Sequence, residues 1–212
     1  MLSLANKKPP PGAKRMKRSW IAIWMVLACV LAGSARAQVE MPDQMAPTVR
    51  QPTLRKIHKE KDALVAERIE FQREKLPAQY RKRANFAWAV AKIKGLDKVE
   101  YFAHSGIQRL DDFSREMARE LDGISVQPKK GRYHTLCVNQ RDVVDGPDCW
   151  VRSVDTEYKI IEDMVTRLPD TSVKGRVKLY TDLPPCASCW NVMKQFMAEY
   201  TNVQVQVLYQ RK

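Results

Sequence analysis

The last third of the chain carries the most regular spacing of apolar and polar residues. In "DTEYKIIEDMVTRL", Ile160, Ile161, Met164, Val165 and Leu168 fall on one helical face, so a helix is expected to open near Asp155. "GRVKLYT", after Gly175, reads as a short buried strand. "CASCWNVMKQFMAEY" places Val192, Met193, Phe196, Met197 and Tyr200 inward on a second helix, and "NVQVQVLYQ" alternates as a strand. Further upstream, Phe86, Trp88 and Val90 alternate with small residues. A turn is expected at Gly95–Asp97, and the ladder resumes at Val99, Tyr101 and Ala103, which predicts a hairpin. A hairpin followed by helix, strand, helix and strand implies an α/β fold with helices packed on a mostly parallel sheet.

Elsewhere the pattern is weaker. Residues 38–52 are polar and proline-bearing and read as a lead-in. Thr53 to Leu76 shows a partial apolar stripe among alternating charges, which predicts an exposed helix that docks on the rest. The segment 106–150 reads as an insert, with a short helix over 110–121 and a hairpin turned at "DGPD". Cys137 and Cys149 lie on opposite sides of that turn. They are either a disulfide, which is the expected pairing, or two buried thiols.

Near the start, a basic run leads into "WIAIWMVLACVLAG" and then "SARAQ". This is the order of an export signal, with cleavage expected after Ala37 and before Gln38; the apolar run is short for a membrane span, so no stable span is expected after cleavage. Residues 1–37 hold seven Lys/Arg and no acid, so removing them takes the formal charge from +13 to +6. The remaining excess suits an anionic partner without selecting one. Cys29 leaves with the signal. An exported, oxidising location then permits disulfides among Cys137, Cys149, Cys186 and Cys189. The organisation expected is 1–37 signal, 38–82 linker and charged helix, and 83–212 the main domain.

"DLPPCASCW" is the segment that carries chemistry. Two cysteines two residues apart at a helix start suit a disulfide, a redox pair or half of a metal site. A thioredoxin-like redox pair needs a further hairpin, a helix and a facing cis-proline. Only 23 residues follow Cys189, and none is proline. A metal site needs a third ligand, and a hydrolytic one also needs a nearby carboxylate to move protons. One helix upstream stands "VDTE", with Asp155 and Glu157; 28 residues separate Glu157 from Cys186, and Pro185 precedes the cysteine. The pattern D-x-E … P-C-x-x-C parallels the H-x-E … P-C-x-x-C signature of zinc deaminases.

On these motifs, with "NFAWAVAKIKG", "AHSGI" and "GRVKLYTDLPPCASC", residues 84–209 resemble the cytidine deaminase-like superfamily, and within it the bacterial toxin deaminases of polymorphic toxin systems. The resemblance implies a three-layer deaminase-like sheet with an N-terminal helical extension. It implies Zn2+ held by Asp155, Cys186 and Cys189, with Glu157 as the catalytic proton carrier. It further implies hydrolysis of the exocyclic amine of a nucleobase, in nucleic acid or a nucleotide, and a toxin role with a cognate immunity protein. Asp155 departs from the usual His or Cys; if it were only a helix cap, His104 or His134 could supply the third ligand. His104, Ser105 and Trp190 are the expected substrate-binding residues, and Trp150 and Tyr158 are aromatic groups near the motifs. An exported thiol oxidoreductase using Cys186 and Cys189, or a non-catalytic binding module, are the other readings.

Overall fold

A computed structural model describes residues 50–211; the expected export signal and most of the lead-in lie outside them. The elements are β1 (Thr53–Lys56), α1 (Ala63–Glu74), β2 (Phe86–Ile93), β3 (Glu100–His104), α2 (Arg115–Glu120), β4 (Cys137–Val138), β5 (Trp150–Val151), α3 (Thr156–Val165), β6 (Gly175–Thr181), α4 (Ala187–Glu199) and β7 (Val203–Tyr209). Five strands form one mixed sheet in the order β1-β7-β6-β2-β3. The hairpin is present, with Phe86 opposite His104 and Gly95 in the turn at φ +81°, a conformation glycine adopts without strain. The expected mostly parallel sheet is corrected: β6–β7 and β1–β7 are parallel, whereas β2 runs antiparallel to both β3 and β6.

Alternation along β2 divides the molecule into layers. Ala87, Ala89 and Ala91 face one side, where their small size lets α3 and α4 pack closely on Val177, Leu179, Val205 and Val207. Phe86 and Trp88 face the other side, with Phe102, Tyr180 and Leu208, under Ile69 and Leu76 from α1 and its C-terminal end. The result is a three-layer α/β fold. Among the described residues no helix is long and apolar enough to cross a membrane.

The expected helix from Thr53 is corrected at its start. Residues 53–56 instead extend the sheet along β7, with Leu54 opposite Val207, and the helix opens only at Ala63. Its weak apolar stripe has a physical cause, because α1 docks through polar groups as well as through Ile69. Arg68 Nε and Gln72 Nε2 donate to Glu100 at 2.7 Å each. Arg73 places both terminal nitrogens on Asp182, at 2.7 and 3.1 Å, and lies 4.5 Å over the Phe86 ring.

The insert holds the short α2 and the two-stranded β4–β5 hairpin, with Cys137 and Cys149 joined as a disulfide across it. Asp142, Asp145 and Asp148 all take positive φ in its turn, a conformation aspartate tolerates better than most residues.

Asp182, 3% exposed, directly follows β6, at the start of the segment that reaches Cys186. Burial pushes its carboxyl up, but Arg73, Tyr180 and Arg211 outweigh burial and hold it below the usual carboxylate range. Asp182→Ala, which strands the Arg73 guanidinium, is therefore expected to cost roughly 3–5 kcal/mol at pH 7 by chemical denaturation. A depressed carboxyl stabilises above its unfolded value, so the gap between variant and wild type should narrow as pH falls below about 4.

Candidate active site

β3 and β6 both run antiparallel to β2, so their C-terminal ends reach the same edge of the sheet. α3 follows β3 through the insert and α4 follows β6, and both helices begin at that edge, where α/β folds collect their ligands. Asp155 is the N-cap of α3 and Cys186 the N-cap of α4. The Cys186 side chain caps in the ordinary way, accepting from the Cys189 N–H. The Asp155 side chain makes no cap bond. It turns instead to the sulfurs: Cys186 Sγ and Cys189 Sγ each donate to its Oδ2 at 3.3 Å. The three donor atoms lie within 4.8 Å of one another.

Two sulfurs and a carboxylate oxygen at this spacing fit a tetrahedral zinc set, in which bonds of about 2.0–2.3 Å leave neighbouring ligands a little under 4 Å apart. A second group, Cys137, Asp145 and Cys149, has both sulfurs committed to the disulfide and offers no comparable set.

Arg152 Nε donates to Asp155 Oδ2 at 2.8 Å and places a cation beside this anionic cluster. Cys186 is held below its usual pKa by the hydrogen bond from Cys189, with Arg152 helping; Cys189, the donor and fully buried, is pushed well up. Glu157 sits two residues inside α3 and is 3% exposed. Burial pushes its carboxyl up and the Asp155 charge adds to the shift, while bonds from Thr181 and Thr156 pull the other way. Thr156 Oγ1 donates to Glu157 Oε2 at 2.9 Å, and Cys189 Sγ lies 3.5 Å from the same oxygen. The arrangement unites a soft donor set with a dry carboxyl able to hold a proton.

The histidines do not join it. His104, expected at the substrate pocket or as an alternative ligand, is fully buried; Nε2 lies 2.8 Å from the Arg83 carbonyl and Nδ1 accepts from the Gly106 N–H at 3.1 Å. Both ring nitrogens serve the backbone. His134 is exposed, and its backbone N–H donates to Gln195 Oε1. Ser105 Oγ accepts from the Asn85 N–H at 3.0 Å, and Trp190 packs half-buried on the core beside the site. Trp150 is exposed on β5, with the Arg152 guanidinium 4.6 Å over its ring, and Tyr158 is buried.

Sequence reasoning missed Asn85. Its Nδ2 donates to Thr156 Oγ1 at 2.8 Å and Thr181 Oγ1 at 2.9 Å, and its Oδ1 accepts from the Leu183 N–H at 3.2 Å. One amide thus ties together the start of α3, the end of β6 and the loop to α4. A lone asparagine before a strand carries no spacing signal. Lys159, fully buried on α3, was also missed; its Nζ donates to the carbonyls of His104 and Ile107 at 3.0 and 2.7 Å and anchors the turn after β3.

A mixed α/β sheet whose two helix starts present a carboxylate pair and a thiol pair is the architecture of a deaminase-like enzyme. The profile of the toxin deaminases, described as the BURPS668_1122 family of deaminases, matches residues 69–211, and the chain belongs to this family. No curated protein and no solved structure compared with the chain matches it.

Burial pulls the Lys159 ammonium down to about 7. A depressed lysine makes the unfolded chain bind more protons between about pH 7 and about pH 10, so this group raises stability as pH climbs through that window. Lys159→Met is expected to lack that rise, so wild type should gain on it by up to roughly 4 kcal/mol across the window in denaturation at several pH values.

Proposed function

We propose that this chain is an exported, zinc-dependent deaminase that hydrolyses the exocyclic amine of a nucleobase and acts as a toxin held in check by an immunity protein. The observation that carries the catalytic half is the side chain of Asp155, an N-cap that leaves its own helix uncapped to meet both thiols of the next one. Membership in the toxin deaminases supports the reaction class and the toxin role. The leader-like residues 1–37 support export.

Asp155, Cys186 and Cys189 would hold the ion, which when bound supplies Lewis-acid activation of water at neutral pH. Arg152 offsets part of the negative charge that an aspartate adds to two thiolates. Glu157 takes a proton from the attacking water, delivers it to the ring nitrogen of the base, and then assists departure of the amine. Its burial among Thr156, Thr181 and Cys189 excludes competing bulk water, and the Asn85 amide keeps those threonines in place. Asn85 and Arg152 act as positioning residues in this scheme.

Purified chain is expected to contain one zinc per molecule by metal analysis and to release ammonia from a cytosine- or adenine-bearing nucleoside or oligonucleotide. Glu157→Gln should keep the zinc and lose about 10²–10⁴-fold in rate. Asp155→Ala and Cys186→Ala should lose the zinc itself. Zinc-replete protein that releases no ammonia from any such substrate overturns the reading. Metal-free protein that cycles Cys186 and Cys189 between thiol and disulfide replaces it with an oxidoreductase.

A further inference from the structure

The sheet face away from α3 and α4 is only partly covered by α1. Below that cover lies a groove of about 640 Å³ whose lining, among the described residues, includes Arg50, Lys92, Arg176 and Lys178 and no acid. Among the described residues none of these four cations forms an ion pair. The acid whose charge Lys178 feels, Asp62, is gripped by both terminal nitrogens of Arg55 at 2.7 Å each.

The strand register sharpens the point. Lys92 on β2 stands directly opposite Arg176 on β6, and Lys178 follows two residues on, on the same face. Directly opposed like charges destabilise a sheet, because their Cβ atoms lie only about 5 Å apart. Glutamines continue the row on β7, Gln204 opposite Arg176 and Gln206 opposite Lys178. A cationic ladder with no ion-pair partner among the described residues, edged by amides, is unfavourable alone and favourable around a shared anion.

We propose that this groove binds the phosphate backbone of a nucleic-acid strand, so that the substrate of the site is a polymer rather than a free nucleotide. The inference rests on the deaminase reading for its second half only. Arg176 and Lys178 are about 6.6 Å apart along their strand, a stride comparable with that of successive phosphates. Glutamine amides can bond phosphate and sugar oxygens without reading bases, as nucleic-acid contacts to the backbone do. A concave groove admits a chain of phosphates, whereas a flat lipid surface would touch only its rim. β6 runs from this groove to Thr181 beside Glu157, a rise of roughly 10–17 Å from Lys178 and Arg176. Thr181 turns to the face opposite the groove, so one nucleotide cannot occupy both places, and only a strand that rounds the end of the sheet reaches both.

The test is fluorescence anisotropy of a labelled single-stranded oligonucleotide with the intact chain and with the triple variant Lys92→Gln, Arg176→Gln, Lys178→Gln, titrated from low to moderate salt. Wild type is expected to bind with a steep salt dependence, and the variant to lose about 2 from the log–log slope, about 0.7 per phosphate contact removed from a single strand. Relieved of opposed charges, the variant should melt no lower than wild type, which separates a binding role from a structural one. Deamination of an oligonucleotide should fall about tenfold or more through KM, with turnover of a free nucleoside unchanged. Equal affinity and equal salt slope for both proteins overturn the groove. So does loss of binding to phosphatidylserine vesicles, or to an acidic protein, with oligonucleotide binding intact. Should neither protein deaminate anything, the catalytic reading fails while the binding arms still decide the groove.

Discussion

Two helices that begin side by side impose the constraint on which the rest of the structure depends. The crossovers put the N-termini of α3 and α4 at one edge of the sheet, and each N-terminus carries about half a positive charge. Bringing two such ends together is unfavourable unless something negative lies between them. Asp155, Cys186 and Glu157 are all placed there, and this topology makes an anionic cluster tolerable where a buried one would otherwise be costly. Arg152 limits the excess from the outside. An aspartate at the start of α3 therefore sits more easily at this crossing than it would in a neutral cleft.

That edge is braced from three directions, each through polar contacts, those of Lys159 fully buried. Asn85 links the ends of β2 and β6 to the start of α3. Lys159 fastens the turn after β3 to the same helix. The disulfide-closed hairpin reaches in from the insert, where Asp142 accepts from the Ala187 N–H at 2.7 Å and the Leu136 N–H donates to Ser188 Oγ at 2.9 Å, both on the first turn of α4. The insert thus caps the helix that carries the thiols. Polar groups of fixed geometry hold the positions, and at the buried Lys159 contacts a partner left unpaired is expensive, so that brace above all resists small displacements.

Legibility in the sequence followed the type of force at work. α3, β6, α4 and β7 were readable because apolar side chains build them, and burial leaves a period behind. The proposed ligands and Glu157 were readable because cysteine and acid spacing at helix starts is a chemical signature. β1 was not: its four residues are all exposed, and it exists through backbone bonds to β7 alone. α1 was half readable, since Arg68, Gln72 and Arg73 do much of its docking and look like solvent-facing charges in sequence. A histidine beside a serine and a glycine suggests a pocket, yet its ring spends both nitrogens on the Arg83 and Gly106 backbone.

The N-terminal extension consequently belongs to the working part of the molecule. Arg73 grips Asp182, the last buried group before the exposed Leu183 and Pro184, and Asp182 also lies 3.4 Å from the backbone N–H of Phe86, next to Asn85. The grip therefore bears on the segment that leads to Cys186 and on the residue that positions the threonines around Glu157. An arginine serves here better than an apolar residue would, because its planar fork fixes both carboxylate oxygens in orientation as well as in place. β1 and α1 also frame the groove with Arg50, Thr53 and Val65. One extension thus partly covers the far face of the sheet, steadies the strand end that feeds the thiols, and walls the cationic groove on that face.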